Sequence, residues 1–97
     1  MKTALITDLH ANREAVEAVL DHARSQGAQR LVFLGDYVGY GADPSWVIDR
    51  VREEVAAGAL AIQGNHDAAT AAGGSSTMRP AVAALIEWTR SRLSALQ

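Results

Sequence analysis

The sequence predicts an α/β fold, a parallel βαβαβ sheet followed by a C-terminal helix. Three observations carry that prediction. Residues 3–7 (TALIT) and 31–34 (LVFL) are short, continuously apolar runs, with a weaker third at 59–62 (ALAI). Such runs suit strands of a parallel sheet. Between them lie two stretches with apolar residues at helical spacing, which gives the order strand, helix, strand, helix, strand. That order implies right-handed crossovers.

Each element has its own signals. In the first helix, Val16, Val19, Leu20 and Ala23 share a face, Asn12 is placed to cap the start, and Gly27 ends it. In the second, Asp43 is the cap candidate, Pro44 suits the first helical position, Val47, Val51 and Val55 form a core stripe, and Gly58 closes it. Residues 68–78 (AATAAGGSSTM) are small and polar and read as a mobile loop. A third helix is expected from Pro80 to Leu96, with Val82, Leu85, Ile86, Thr89 and Leu93 on its inner face.

The 97 residues fit one domain, 1–97. A net charge of −2 without a basic run argues against structural nucleic-acid binding. With no cysteine, disulfides, thiolate nucleophiles and thiolate metal sites are excluded. No stretch approaches a membrane span, and the opening MKTALITDLH is too short in apolar residues for a signal peptide, so a cytoplasmic location is expected.

All strands of a parallel sheet open on the same edge at their C-terminal ends, where ligands gather. Asp8 and His10 follow the first strand, Asp36 the second, and Asn65, His66 and Asp67 the third. Residues far apart in the chain therefore converge. In an extended stretch Asp8 and His10 would point the same way and grip one ion. Asp36 has an oxygen for each of two ions, and Asn65 adds an amide oxygen. Carboxylate, imidazole and amide donors suit manganese, iron, zinc or a similar divalent ion. His66 is placed to protonate a departing alcohol, and Asp67 to hold the His66 ring. Gly35 and Gly64 would let the backbone turn sharply before the ligands. Arg13 is a candidate for meeting a phosphate, or else a solvated helix-start charge. Tyr40 is a candidate lining residue of the substrate mouth, or else packs in its loop. Taken singly, Asp8 and Asp36 also read as helix-capping loop residues, and Asn65 as a turn residue; the joint pattern favours chemistry.

The D-x-H of LITDLHAN, then GDYVGYG, then GNHD, in this order and each after an expected strand, resembles the calcineurin-like metallophosphoesterase superfamily, in its small bacterial branch. The resemblance implies the first half of a four-layer αββα sandwich. It implies that Asp8, His10 and Asp36 bind one ion and Asp36 and Asn65 a second, with His66 as the catalytic histidine and Asp67 beside it. The implied reaction is hydrolysis of a phosphomonoester or phosphodiester, a small-molecule partner, by metal-bound hydroxide. Mn2+ is the leading ion, with iron, zinc, nickel or cobalt as the others.

The family's second half supplies a further histidine and a G-H-x-H motif. The 97 residues hold only His10, His22 and His66, so the domain reads as truncated and its activity as impaired. The alternative is a non-catalytic remnant binding one metal or a partner protein. One face of the small sheet would also be left bare. The expectation is that the third helix folds over it or that two chains pair through it.

Overall fold

Three short parallel strands form the sheet of the computed structural model, which describes residues 1–73 and 79–97. Strand β1 (Thr3–Ile6) pairs with β2 (Arg30–Phe33), which pairs with β3 (Leu60–Ala61), in the order β1-β2-β3. The register sets Ile6 beside Phe33, and Phe33 beside Ala61. Helix α1 (Arg13–Ser25) links the first two strands and α2 (Pro44–Ala56) the next two. The α/β class and the βαβαβ order are as the sequence predicts.

Both helices lie on one face. Val16 and Leu20 of α1 and Val47 and Val51 of α2 join Ile6 and Phe33 in a single buried cluster. An ion pair between Arg24 and Glu54, 2.9 Å, ties the helices together at the rim. The Asn12 side chain caps α1 by accepting from the Ala15 N–H at 3.0 Å. Asp43 occupies the cap position of α2, with Pro44 after it, yet its side chain makes no capping bond. The two apolar stripes are narrower than expected. Val19 and Val55 are 37% and 43% exposed. Val55 opens onto a groove of about 920 Å³ between α2, β3 and the C-terminal tail.

The expected loop over 68–78 is corrected in its first part. Residues Asn65–Ala72 form helix α3, so GNHD is the opening turn of a helix. Four alanines and an acid at its third residue favour this. The rest of that expectation, 74–78, lies outside the described residues. Helix α4 runs Pro80–Ser91, shorter than expected, and buries Ile86 and Thr89. It packs on α3, where Arg90 Nη1 donates to the carbonyls of Thr70 and Ala71, both at 3.1 Å. The chain beyond it bends back to α2. There the Gln97 amide donates to Ser45 Oγ at 2.9 Å and Asp49 Oδ1 at 2.7 Å, bonds a continued helix would not reach.

Helix α4 therefore does not cover the far side of the sheet. Leu5, Leu34, Leu60 and Ile62 on that side are 69%, 39%, 56% and 57% exposed. Burial, not residue type, sets what a substitution costs. Replacing the fully buried Ile86 by alanine should lower stability by about 2–5 kcal/mol. Leu60→Lys should stay within about 0.5 kcal/mol. Urea unfolding of both variants checks the ranking, and the reverse order would show that the sheet's far side is covered in solution.

Candidate metal centre

The candidate ligands stand on loops that the backbone stitches together beyond the strand ends. The Asp8 N–H donates to the Gly35 carbonyl at 3.1 Å, His10 N–H to the Asp36 carbonyl at 2.9 Å, and Ala11 N–H to the Tyr37 carbonyl at 2.7 Å. These bonds continue the β1–β2 ladder past both strands. The D-x-H segment is not the extended stretch the sequence suggested. Asp8, His10 and Ala11 have φ of 56°, 46° and 56°, and Asp36 and Tyr40 have 57° and 68°. All five lie in the left-handed region, which is sparsely used by residues other than glycine and clusters at functional sites. Asp8 and His10 converge through these kinks, not through strand alternation.

The result is a compact donor set. Ligand atoms of Asp8, His10 and Asp36 all lie within 4.8 Å of one another. His10 Nδ1 lies 3.1 Å from the Val38 carbonyl. A carbonyl oxygen can only accept, so Nδ1 carries the proton. The lone pair on Nε2 then faces Asp8 Oδ1 at 3.2 Å, where a cation or an extra proton must lie between them. The Asn65 amide meets Asp36. With its nitrogen inward it donates to Oδ1 at 3.1 Å and Oδ2 at 3.0 Å. With its oxygen inward, three oxygens stand together, an arrangement that calls for a cation. The residues fit a divalent metal ion with oxygen and nitrogen donors.

Electrostatics agree. The Thr7 hydroxyl donates to Asp8 Oδ2 at 2.7 Å and holds the Asp8 carboxyl below its usual range. His10 adds to the effect and burial opposes it. Asp8, His10 and Tyr40 line a cleft of about 440 Å³. The larger groove beside α2 has none of Asp8, His10, Asp36, Asn65 or His66 on its walls.

One expected role is corrected. Asp67 does not hold the His66 ring. Its Oδ2 accepts from the N–H groups of Asp36 at 2.7 Å and Gly64 at 2.8 Å, and its Oδ1 from Tyr37 at 2.9 Å and Val38 at 3.3 Å. A carboxylate at the start of α3 satisfies orphan donors first, so Asp67 clamps one ligand loop to the other. The Arg13 guanidinium lies over the Trp46 ring, 4.8 Å from its centroid, and its Nε donates to Glu17 at 3.0 Å; Arg13, like Asp36, Asn65 and His66, does not line the cleft of about 440 Å³. Gly64 also has a different purpose from the one expected. Its φ of −92° suits any residue, but a Cβ there would strike the Asp36 carboxylate. Gly35 combines a φ of +106° with a Cβ position 2.5 Å from the Gly64 nitrogen. Among the remaining predicted residues, the His66 ring lies 5.0 Å from the His10 ring and 4.8 Å from Tyr40. His22 sits on α1, outside the cleft.

Sequence reasoning missed Thr7 and Gly39. Gly39 lies against His66 Nδ1 with φ +93°. A third glycine within GDYVGYG was the available signal, since tight glycine spacing marks close backbone approach.

The sequence pattern of the calcineurin-like phosphoesterases matches residues 1–92. The chain belongs to the calcineurin-like phosphoesterase family. The chain is 38% identical to a metallophosphoesterase from Sphaerobacter thermophilus, with a TM-score of 0.77 over 99% of this chain and 37% of that one. The YfcE phosphoesterase of Escherichia coli aligns with a TM-score of 0.56 at 29% identity, over 88% of this chain and 44% of that one. By sequence, an uncharacterised protein of Methanocaldococcus jannaschii is 41% identical over 64 residues. The curated relatives are longer. The chain spans 25% of the Methanocaldococcus protein and 40% of the E. coli phosphodiesterase YfcE. No helix among the described residues is long and apolar enough to cross a membrane.

Two measurements test the Asp67 clamp and its surroundings. Asp67→Ala strands four N–H donors and should cost about 3 kcal/mol or more in urea unfolding. The nearby Tyr37 hydroxyl donates to the Ile62 carbonyl at 2.6 Å, and burial, aided by the Asp67 charge, pushes its pKa from 10.0 up to about 12. The raised value means that the fold favours the neutral form. Stability is then whole below pH 10.0 and falls as pH rises toward about 12. In Tyr37→Phe that alkaline decline should flatten, as followed by thermal melts across the range.

Proposed function

We propose that the chain carries the metal-binding half of a phosphoesterase centre and hydrolyses a phosphomonoester or phosphodiester in a metal-dependent reaction. The observation that carries this reading is the meeting of Asp8, His10 and Asp36 ligand atoms within 4.8 Å, with Asn65 on Asp36. Asp8, His10 and Asp36 would hold one ion, and Asp36 with Asn65 would offer a second position. Manganese suits a set of carboxylate, imidazole and amide donors in a chain without cysteine. A bound divalent ion supplies Lewis acidity toward the phosphoryl oxygens and lowers the pKa of water.

The chain's own residues would do the rest. The Asp36 carboxylate, which would offer an oxygen to each ion, is held by the His66 N–H at 3.0 Å. His66 Nδ1 is buried, which leaves Nε2 as the nitrogen to deliver a proton to the departing alkoxide. Tyr40 lines the cleft beside Asp8 and His10.

A second reading has a specific observation behind it. Among the described residues the first position has three protein donors and the second two, whereas catalytic sites usually have about three plus water. A chain that binds one ion without turnover would fit that count. Calorimetry with MnCl2 and p-nitrophenyl phosphate assays separate the readings. The proposed function expects manganese binding that His10→Ala abolishes, and hydrolysis that falls by about 10²-fold or more in His66→Ala with binding kept. Binding with no turnover supports the second reading, and no binding refutes both.

A further inference from the structure

Among the described residues, no hydrogen bond holds the His66 ring at Nδ1, although the residue is more than nine-tenths buried. Two neighbours that might have served are committed elsewhere. The Asp67 carboxylate accepts from four backbone N–H groups, and the Thr70 hydroxyl donates to the His66 carbonyl at 2.8 Å. Gly39 lets the backbone reach the ring, since a Cβ there would lie 3.1 Å from His66 Cγ and closer still to Nδ1. Contact with glycine fills space without fixing rotation.

Two rings supply the missing constraint. Tyr40 lies 4.8 Å from His66, centroid to centroid, tilted by 47°, and His10 lies 5.0 Å away, edge-on at 74°. Tyr40 and His10 also meet each other at 5.0 Å and 70°, so the three rings form a closed triangle. Such aromatic pairs favour offset or edge-to-face geometry at these separations. His10 is itself anchored through Nδ1 to the Val38 carbonyl. Tyr40 is 55% exposed and has a left-handed φ of 68°, an outlier for a bulky side chain. Burial does not explain its placement; contact with the two imidazoles does.

We propose that Tyr40 is a positioning residue, which completes a three-ring cage with His10 and fixes the orientation of His66 where a hydrogen bond would otherwise do so. The catalytic arm of this inference rests on the phosphoesterase reading; the structural arm does not. A wall residue that only gripped substrate would need no contact with His66.

The test uses Tyr40→Gly and Tyr40→Phe. Glycine relieves the left-handed backbone while deleting the ring, so the variant should fold at least as well as the parent. Phenylalanine keeps the ring and removes the hydroxyl. In the metal-free chain, NMR of the His66 ring protons should show ring-current displacement and contacts to Tyr40. These should collapse in Tyr40→Gly and return in Tyr40→Phe. With manganese and p-nitrophenyl phosphate, kcat should fall about tenfold in Tyr40→Gly with KM little changed, and recover in Tyr40→Phe. A His66 spectrum unchanged in Tyr40→Gly overturns the proposal whatever the kinetics. A raised KM at constant kcat also overturns it, since that assigns Tyr40 to substrate binding. If the parent has no turnover, the phosphoesterase reading fails and the NMR alone decides the cage.

Discussion

The junction of the two ligand loops depends on one carboxylate. Asp67 gathers the N–H groups of Asp36, Tyr37 and Val38 from the loop after β2 and that of Gly64 from the turn before α3. Two loops more than twenty residues apart are thereby held at the distance of a hydrogen bond. Gly35 and Gly64 make the approach sterically feasible, because either Cβ would strike the other loop. The closeness of Asn65 to Asp36 follows from this clamp. So does the bond from the His66 N–H to Asp36 Oδ1. A buried acceptor serving four donors is stable because each bond is charge-assisted, and because any donor left alone in that place would cost about 1–3 kcal/mol.

The clamp also explains how five residues tolerate left-handed backbone. Outside glycine, that conformation costs about 1–2 kcal/mol per residue, less for Asp and His than for Ala or Tyr. An isolated loop would relax. Here the ladder-like bonds from Asp8, His10 and Ala11 to the β2 loop define the path, and the bond from the Gly41 N–H to the His10 carbonyl at 2.9 Å closes it. Ala11 is the revealing case. It is fully buried and has φ 56°. Its methyl group packs in the core while its backbone bears strain. The surrounding bonds therefore overdetermine the loop, which is the condition under which strain persists.

This dependence on backbone contacts marks the limit of what the sequence disclosed. Apolar runs, Asn12, Pro44 and Gly58 are local signals, and they located β1, β2, α1 and α2 to within a residue or two. The convergence of Asp8, His10, Asp36 and Asn65 followed from parallel topology alone, since such strands share an edge. What could not be read was the direction of individual side chains. Asp67 adjoins His66 in sequence, yet it turns toward backbone donors that only the folded loops bring near. Arg13 lies over the Trp46 face, a contact between separate helices with no local signature. Helix α3 was hidden because its alanines and the glycines that follow look like a loop by composition. The aspartate three residues after Gly64 was the cue that it starts a helix.

The bare side of the sheet bears on the centre less than its exposure suggests. Leu5, Leu34, Leu60 and Ile62 face outward, while every bond that shapes the centre runs between loops past the strand ends or from α3. Covering that side would add apolar burial, at about 25 cal/mol per Å², without moving a ligand. The loops are bonded to one another through protein donors and acceptors alone, with no bond that runs through an ion. A cation would therefore find His10 Nε2 and the Asp8 and Asp36 oxygens in place, unlike small metal domains whose folding depends on the ion. Under the proposed reading, preorganisation would lower the cost of binding at the first position, whereas the second would have Asp36 and Asn65 as its donors among the described residues.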